Sequence, residues 1–195
     1  ISNSTVTDCY NTGNVNGLGE TGGLIGRVYI STVNNCHASG NVSGSNYVGG
    51  LVGQNYENSL IKNSNATGQV HTSTYRGGGL VGGNIESTVD SCYALGNVQG
   101  WHYIGGIVGD NNLGMISNSY AAGAVSGSEY VGGLAGTLWK GHVSRSYATG
   151  NVTVSANRGG GLVGSTYNVS SISNSYSLGN LTRTSGNDTI FGAFI

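Results

Sequence analysis

The groups in this chain of 195 residues that could do chemistry are four histidines, three cysteines, eight acidic side chains and a glycine spacing that occurs three times. Catalysis or metal binding would require such groups to converge. The spacing G-x-G-x-x-G runs over residues 17–22, 77–82 and 159–164. A dinucleotide site also needs a strand before it, a helix N-terminus after it and an acid further on. No segment with a helical pattern follows any copy. There is no H-E-x-x-H pair and no G-x-S-x-G elbow, and calcium-binding nonapeptides are missing. Cys9, Cys36 and Cys92 are odd in number and lack metal-ligand spacing, so no disulfide framework is expected. No catalytic residue, metal site or cofactor is predicted, and the chain reads as a protein that is not an enzyme.

Composition narrows the partners. Seven basic and eight acidic residues give a net charge near −1, which points away from nucleic acid and from anionic membrane surfaces. No apolar run reaches the ~18–20 residues of a membrane span, so no membrane insertion is expected. The chain holds 37 glycines and no proline. It starts at Ile1 without methionine, which reads as a mature or excised piece of a longer protein.

The elements that would position any site come from a repeat. GGLIG at 22–26 returns in YVGGLVG at 47–53, GGGLVGG at 77–83, YIGGIVG at 103–109, YVGGLAG at 130–136 and GGGLVG at 159–164. Units begin at Ser4, Ser31, Ser59, Ser87, Gly114, Gly141 and Ser170, spaced 27–29 residues apart. A fixed period of this size marks a solenoid or propeller. Propeller blades are longer, at about 40 residues, and helical repeats would not tolerate so much glycine. The prediction is an all-β, parallel β-solenoid of about seven coils, forming a single domain over residues 4–195.

Alternation assigns the faces. In SYATGNV, the residues Ser146, Ala148, Gly150 and Val152 share one face, and Tyr147, Thr149 and Asn151 share the other. Val6, Val33, Ile61, Val89, Ile116, Val143 and Ile172 form an aliphatic column from the preceding strand. The column holding Cys9, Cys36 and Cys92 faces inward with Ser64, Ser119, Ser146 and Ser175, which predicts buried, inert thiols. Leu51 and Val52, adjacent in GGLVG, cannot both face inward on a regular strand. Either a glycine bulge turns both inward or an apolar stripe is exposed, and the bulge is preferred.

Six copies of G-[LI]-[VIA]-G, each following a glycine and phased at this period, resemble the GLUG motif repeat. The resemblance spans nearly the whole chain, although IFGAFI at 190–195 departs from it. It implies a module of large secreted or surface-attached bacterial proteins, including adhesins and accessory regions of immunoglobulin-A-cleaving metallopeptidases. An extracellular or cell-surface stalk or binding rod follows, with no catalytic residues to carry over.

The most suggestive outward feature is the tyrosine column Tyr93, Tyr120, Tyr147 and Tyr176, which Tyr10 begins and His37 and Asn65 interrupt. It is the candidate contact ladder for a surface carbohydrate or a protein, and ring stacking could equally serve only to stabilise the coils. A second aromatic set comprises Tyr47, Tyr75, Tyr103 and Tyr130, with Trp101 and Trp139 nearby. Asn14, Asn41, Asn97, Asn151 and Asn180 are expected to hydrogen-bond to one another along the stack. Sequons start at Asn3, Asn41, Asn65, Asn151, Asn168, Asn180 and Asn187 and would matter only where a glycosylating pathway exists. A second functional reading is a filament subunit that adds copies of itself end to end through open coil edges. A third, ice binding, needs a regular threonine array. The column Thr12, Ser39, Thr67, Leu95, Ala122, Thr149 and Leu178 is too irregular for it.

Overall fold

Each coil opens with a three-residue strand whose middle residue is the aliphatic one, and this pattern is enough to build the first sheet. In the computed structural model, which describes residues 1–185, 191 and 192, the strands Thr5–Thr7, Thr32–Asn34, Leu60–Lys62, Thr88–Asp90, Met115–Ser117, His142–Ser144 and Ser171–Ser173 stack in parallel. Ile61 lies between Val33 and Val89 in register, and Ile116 between Val89 and Val143. The chain then turns through one left-handed residue. This is Asp8, Asn35, Asn63, Ser91, Asn118, Arg145 or Asn174, with φ between 47° and 55°. Asn and Asp tolerate that conformation best, and they fill five of the seven positions. A second sheet of two-residue strands follows, from Tyr10–Asn11 to Tyr176–Ser177.

The third sheet is bent. Val42–Gly49 and Val70–Gly78 run through the bend as single strands, whereas later coils break into pairs such as Val98–Gln99 and His102–Gly105. The fourth sheet stacks Ile25–Tyr29, Val52–Tyr56, Val81–Ile85, Val108–Asn112, Ala135–Trp139 and Val163–Tyr167. Among the described residues, every strand pairing between coils is parallel, and residues pair with their equivalents one repeat away, which makes the molecule a parallel β-solenoid of about seven coils.

Two cores run along the rod. The larger lies among the first, second and fourth sheets and holds Val33, Leu51, Ile61, Leu80, Val89, Ile107, Ile116, Leu134, Val143 and Leu162, all essentially inaccessible. The smaller lies inside the bend of the third sheet, where Val42, Val70, Val98, Val125 and Val152 face Val48, Ile104 and Val131. The stretch between GNV and the glycine phrase, variable in sequence, therefore forms a second lobe with its own core.

GGLVG is resolved by a corner. The third-sheet strand ends at Gly49 and the fourth-sheet strand starts at Val52, so Gly50 and Leu51 form the bend between them. Leu51 fills the corner and Val52 the next inward position, both at 0% exposure. The expected strand bulge is replaced by a change of sheet, and no apolar stripe is exposed there. Glycine is required by crowding. A Cβ on Gly49 would strike the Val52 carbonyl of its own coil, and one on Gly50 would strike the Gly79 carbonyl of the next coil and Ala66 across the core.

The asparagines differ from expectation. Asn14, Asn41, Asn97 and Asn151 are exposed, and their Oδ1 atoms accept the backbone N–H of Asn41, Gln69, Ala124 and Asn180 on the following coil at 2.8–3.0 Å. They cap backbone donors at a corner, and their side chains do not bond to one another. The asparagine ladder is elsewhere, in the fourth sheet. Buried Asn55 donates Nδ2 to Asn84 Oδ1 at 2.8 Å, and Asn84 Nδ2 donates to Asn111 Oδ1 at 2.7 Å.

Candidate functional site

The second sheet presents the tyrosine column because its two-residue strands place alanine inward and tyrosine outward: Ala94, Ala121 and Ala148 are buried beneath Tyr93, Tyr120 and Tyr147. In-register stacking then brings the rings face to face. Centroid separations are 5.2 Å for Tyr93–Tyr120, 5.0 Å for Tyr120–Tyr147 and 5.1 Å for Tyr147–Tyr176, with planes within 10° of parallel. Burial pushes the Tyr120 phenol up from its ordinary value, and the neighbouring phenols of Tyr147 and Tyr93 add to the shift. The ladder is thus a continuous uncharged strip of four rings. Below it, Asn65 and His37 continue the column through a 2.7 Å contact between Asn65 Nδ2 and His37 Nδ1. Tyr10 stands apart, largely exposed.

The second aromatic set does not form one column. Tyr75 pairs with His102, their rings stacked at 5.4 Å, because a register irregularity between Thr72 and Tyr75 shifts it by one place. The position equivalent to Tyr47 is taken by Arg76, then Tyr103, Tyr130 and Arg158. All five are left-handed, with φ between 51° and 60°. The Arg76 guanidinium lies 4.7 Å from the Tyr47 ring centroid and 5.5 Å from that of Tyr103. Tyr103 stacks on Tyr130 at 4.7 Å, and Arg158 lies 4.8 Å over Tyr130. Bulky residues in this conformation cost ~1–3 kcal/mol each, and cation–π contacts of ~0.5–2 kcal/mol offset part of it. The mixture of Tyr and Arg disguised this column in the sequence.

Charged groups are scattered. Arg76 Nε pairs with Asp110 Oδ2 at 3.1 Å, and His102 Nδ1 lies 3.5 Å from Glu129 Oε2. Among the described residues, no three His, Cys, Asp or Glu side chains gather in a metal-binding arrangement. Cys36 and Cys92 are buried, and burial pushes the Cys92 thiol up to about 12. Cys9 departs from the expectation of buried thiols. It is exposed, on the coil whose second-sheet strand Tyr10–Asn11 pairs with His37–Ala38. All three thiols are free. Of the sequon asparagines, Asn3, Asn41, Asn151, Asn168 and Asn180 are exposed, whereas Asn65 is half-buried with its amide nitrogen held by His37. Asn187 lies outside the described residues, as does most of the closing segment 190–195; its Phe191–Gly192 pairs with Gly159–Gly160.

Comparison with known proteins gives one family. The model of the GLUG motif matches residues 17–43, 44–70 and 127–153. No curated protein and no solved structure matches the chain. Each matched segment starts at the turn of the small lobe, at Gly17, Gly44 or the equivalent Gly127. It passes through the glycine corner and ends one coil later in the next third-sheet strand. In these three segments the matched unit and the geometric unit therefore coincide, and the chain carries three stretches similar to the GLUG motif, consistent with a GLUG-repeat protein.

Proposed function

We propose that the chain is a non-catalytic structural and adhesive rod, working outside the cell or at its surface as a stalk or binding module. The observation that carries this reading is the ladder from Tyr93 to Tyr176: four parallel rings on a rigid sheet, uncharged and open to solvent on their outer edges. Phenol rings offer apolar area with a polar rim, which suits contacts with carbohydrate or protein. Next to it, Leu95 and Leu178 add exposed apolar area.

The test is a double exchange, Tyr120→Ser with Tyr147→Ser. Circular dichroism should keep its β-rich form, while retention on glycan- or protein-coated surfaces, or lateral pairing of rods in negative-stain micrographs, should fall. Undiminished retention and pairing would leave the ladder a purely structural device. End-to-end filaments in the same micrographs, insensitive to the exchange, would favour assembly through the coil edges instead.

A further inference from the structure

We infer that a cleft between the third and fourth sheets binds a short segment of neutral glycan. It has a volume of about 360 Å³, at the lower end of the ~300–1,000 Å³ typical of small-ligand sites. One wall is the stacked pair Tyr103 and Tyr130 from the left-handed column. The other is Trp139 and Tyr167, whose rings lie 5.5 Å apart at the ends of fourth-sheet strands. Asp110, Asn112 and Thr137 lie between the walls. Arg76 spans the gap by its ion pair with Asp110, and burial, with the Tyr167 phenol adding to it, pushes the Tyr130 phenol up to about 12.

The ligand class follows from the groups left over. Arg76 and Asp110 neutralise each other, so the cleft offers no net charge to an ion. Asp110 Oδ1 already accepts from Thr137 at 2.8 Å, and Oδ2 from Arg76. The Asn112 Oδ1 acceptor is buried and has no partner. An unmet acceptor costs ~1–3 kcal/mol and calls for a donor. Asn112 lines the cleft, and a turn of its amide would bring this acceptor against a ligand hydroxyl, which can donate, whereas a carboxylate or phosphate cannot. The aromatic walls supply flat apolar faces for the C–H face of a pyranose ring. Hydroxyls on a partly apolar ring are what this lining complements.

This deepens the reading of the rod as a binding module and rests on it, yet the two sites can fail separately. The tyrosine ladder lies on the second sheet, whose inward Ala66 faces Gly50 at the corner of the third and fourth sheets across the core. The test uses saturation-transfer NMR on the full chain with methyl glycosides of glucose, galactose, mannose and N-acetylglucosamine, and methyl glucuronide as an anionic control. Transfer to ring C–H protons of at least one neutral glycoside is expected, and none to the glucuronide. Trp139 is 44% exposed, so Trp139→Ala should fold normally and weaken binding at least about tenfold. Asn112→Leu should also lose binding, yet raise the melting temperature by removing the orphan acceptor. Leu18→Ser, at an exposed position outside the cleft and away from the tyrosine ladder, should leave binding unchanged. No transfer to any neutral glycoside, transfer to the glucuronide alone, or binding undiminished in Trp139→Ala and Asn112→Leu would each overturn the proposal. If soluble glycosides fail but the ladder exchange still abolishes surface retention, the cleft alone is refuted.

Discussion

The rings of Tyr120 and Tyr147 lie 5.0 Å apart and 4° from parallel, on adjacent coils whose backbones are paired in register. Each coil fixes its ring against the next, so stacking is a property of the register. Tyr120 touches Tyr93 on one side and Tyr147 on the other. Tyr120→Leu keeps apolar bulk but removes both ring contacts. It should cost about 1–2 kcal/mol in chemical denaturation. Stability within a few tenths of the parent would show that the rings stack without stabilising.

Gly50 and Gly19 separate the two uses of glycine. A Cβ at Gly50 meets the Gly79 carbonyl and Ala66, neither of which can move without shifting a coil, while a Cβ at Gly19 meets nothing within 4 Å. Gly50→Ala should cost at least about 2–3 kcal/mol. Gly19→Ala should be neutral or stabilising by about 0.5 kcal/mol through the unfolded chain. Equal melting temperatures for the two variants would contradict the crowded corner.

The buried ladder of Asn55, Asn84 and Asn111 predicts a sign reversal. Asn84→Ala strands Asn111 Oδ1, which accepts its Nδ2, and takes from Asn55 Nδ2 the nearer of its two acceptors. A loss of about 2–3 kcal/mol should follow. Replacing all three by leucine, the residue found at the equivalent Leu138, removes every unmet partner and should cost less than the single change. A triple variant less stable than Asn84→Ala would show that the amides contribute net stability.

These cases show what was legible. The column through Ile61 and Ile116 could be read because parallel register makes one coil's pattern repeat in the next, so period and alternation agree. The tyrosine ladder was visible for the same reason. Asn55, Asn84 and Asn111 were missed because polar residues at inward positions contradict alternation, and only their amide geometry reconciles them with burial. The small core was missed because Val42 and Val48 face each other only after the strand bends between them. The cleft was hidden twice over. Tyr and Arg share one column, and Asp110 reaches Arg76 across 34 residues of sequence.

Thiol labelling reads the coil geometry directly. Cys9 is exposed, whereas Cys36 and Cys92 are 0% and 1% exposed. Burial also pushes both inner thiols up, which disfavours the reactive thiolate. In native buffer a disulfide reagent should label one thiol rapidly, and Cys9→Ser should abolish that phase. Denaturation should release the other two. Rapid labelling of more than one native thiol would mean that the coils open far more readily than their packing implies.

Acid should reveal Asp90. Burial pushes its carboxyl up, but hydrogen bonds from Ser117 Oγ at 2.5 Å, Asn118 Nδ2 at 2.6 Å and Ser91 Oγ at 2.9 Å outweigh this, and with Arg145 nearby they hold it below its ordinary 3.8. A carboxylate depressed in the folded state binds its proton more readily when unfolded. Its contribution is therefore complete above the ordinary value and is lost as pH falls from there through the folded value. Asp90→Asn keeps the shape but cannot ionise, and its amide presents a donor to groups that are themselves donors. The variant should be less stable than the parent near about pH 6, and the gap should close as pH drops below about 4. Asn118 is held from above by Arg145 Nε at 2.7 Å, so the network ties three adjacent coils, and unfolding monitored by tyrosine fluorescence should report the loss cooperatively. A gap that stays constant from about pH 6 to about pH 3 would mean that the carboxylate charge contributes nothing beyond its shape.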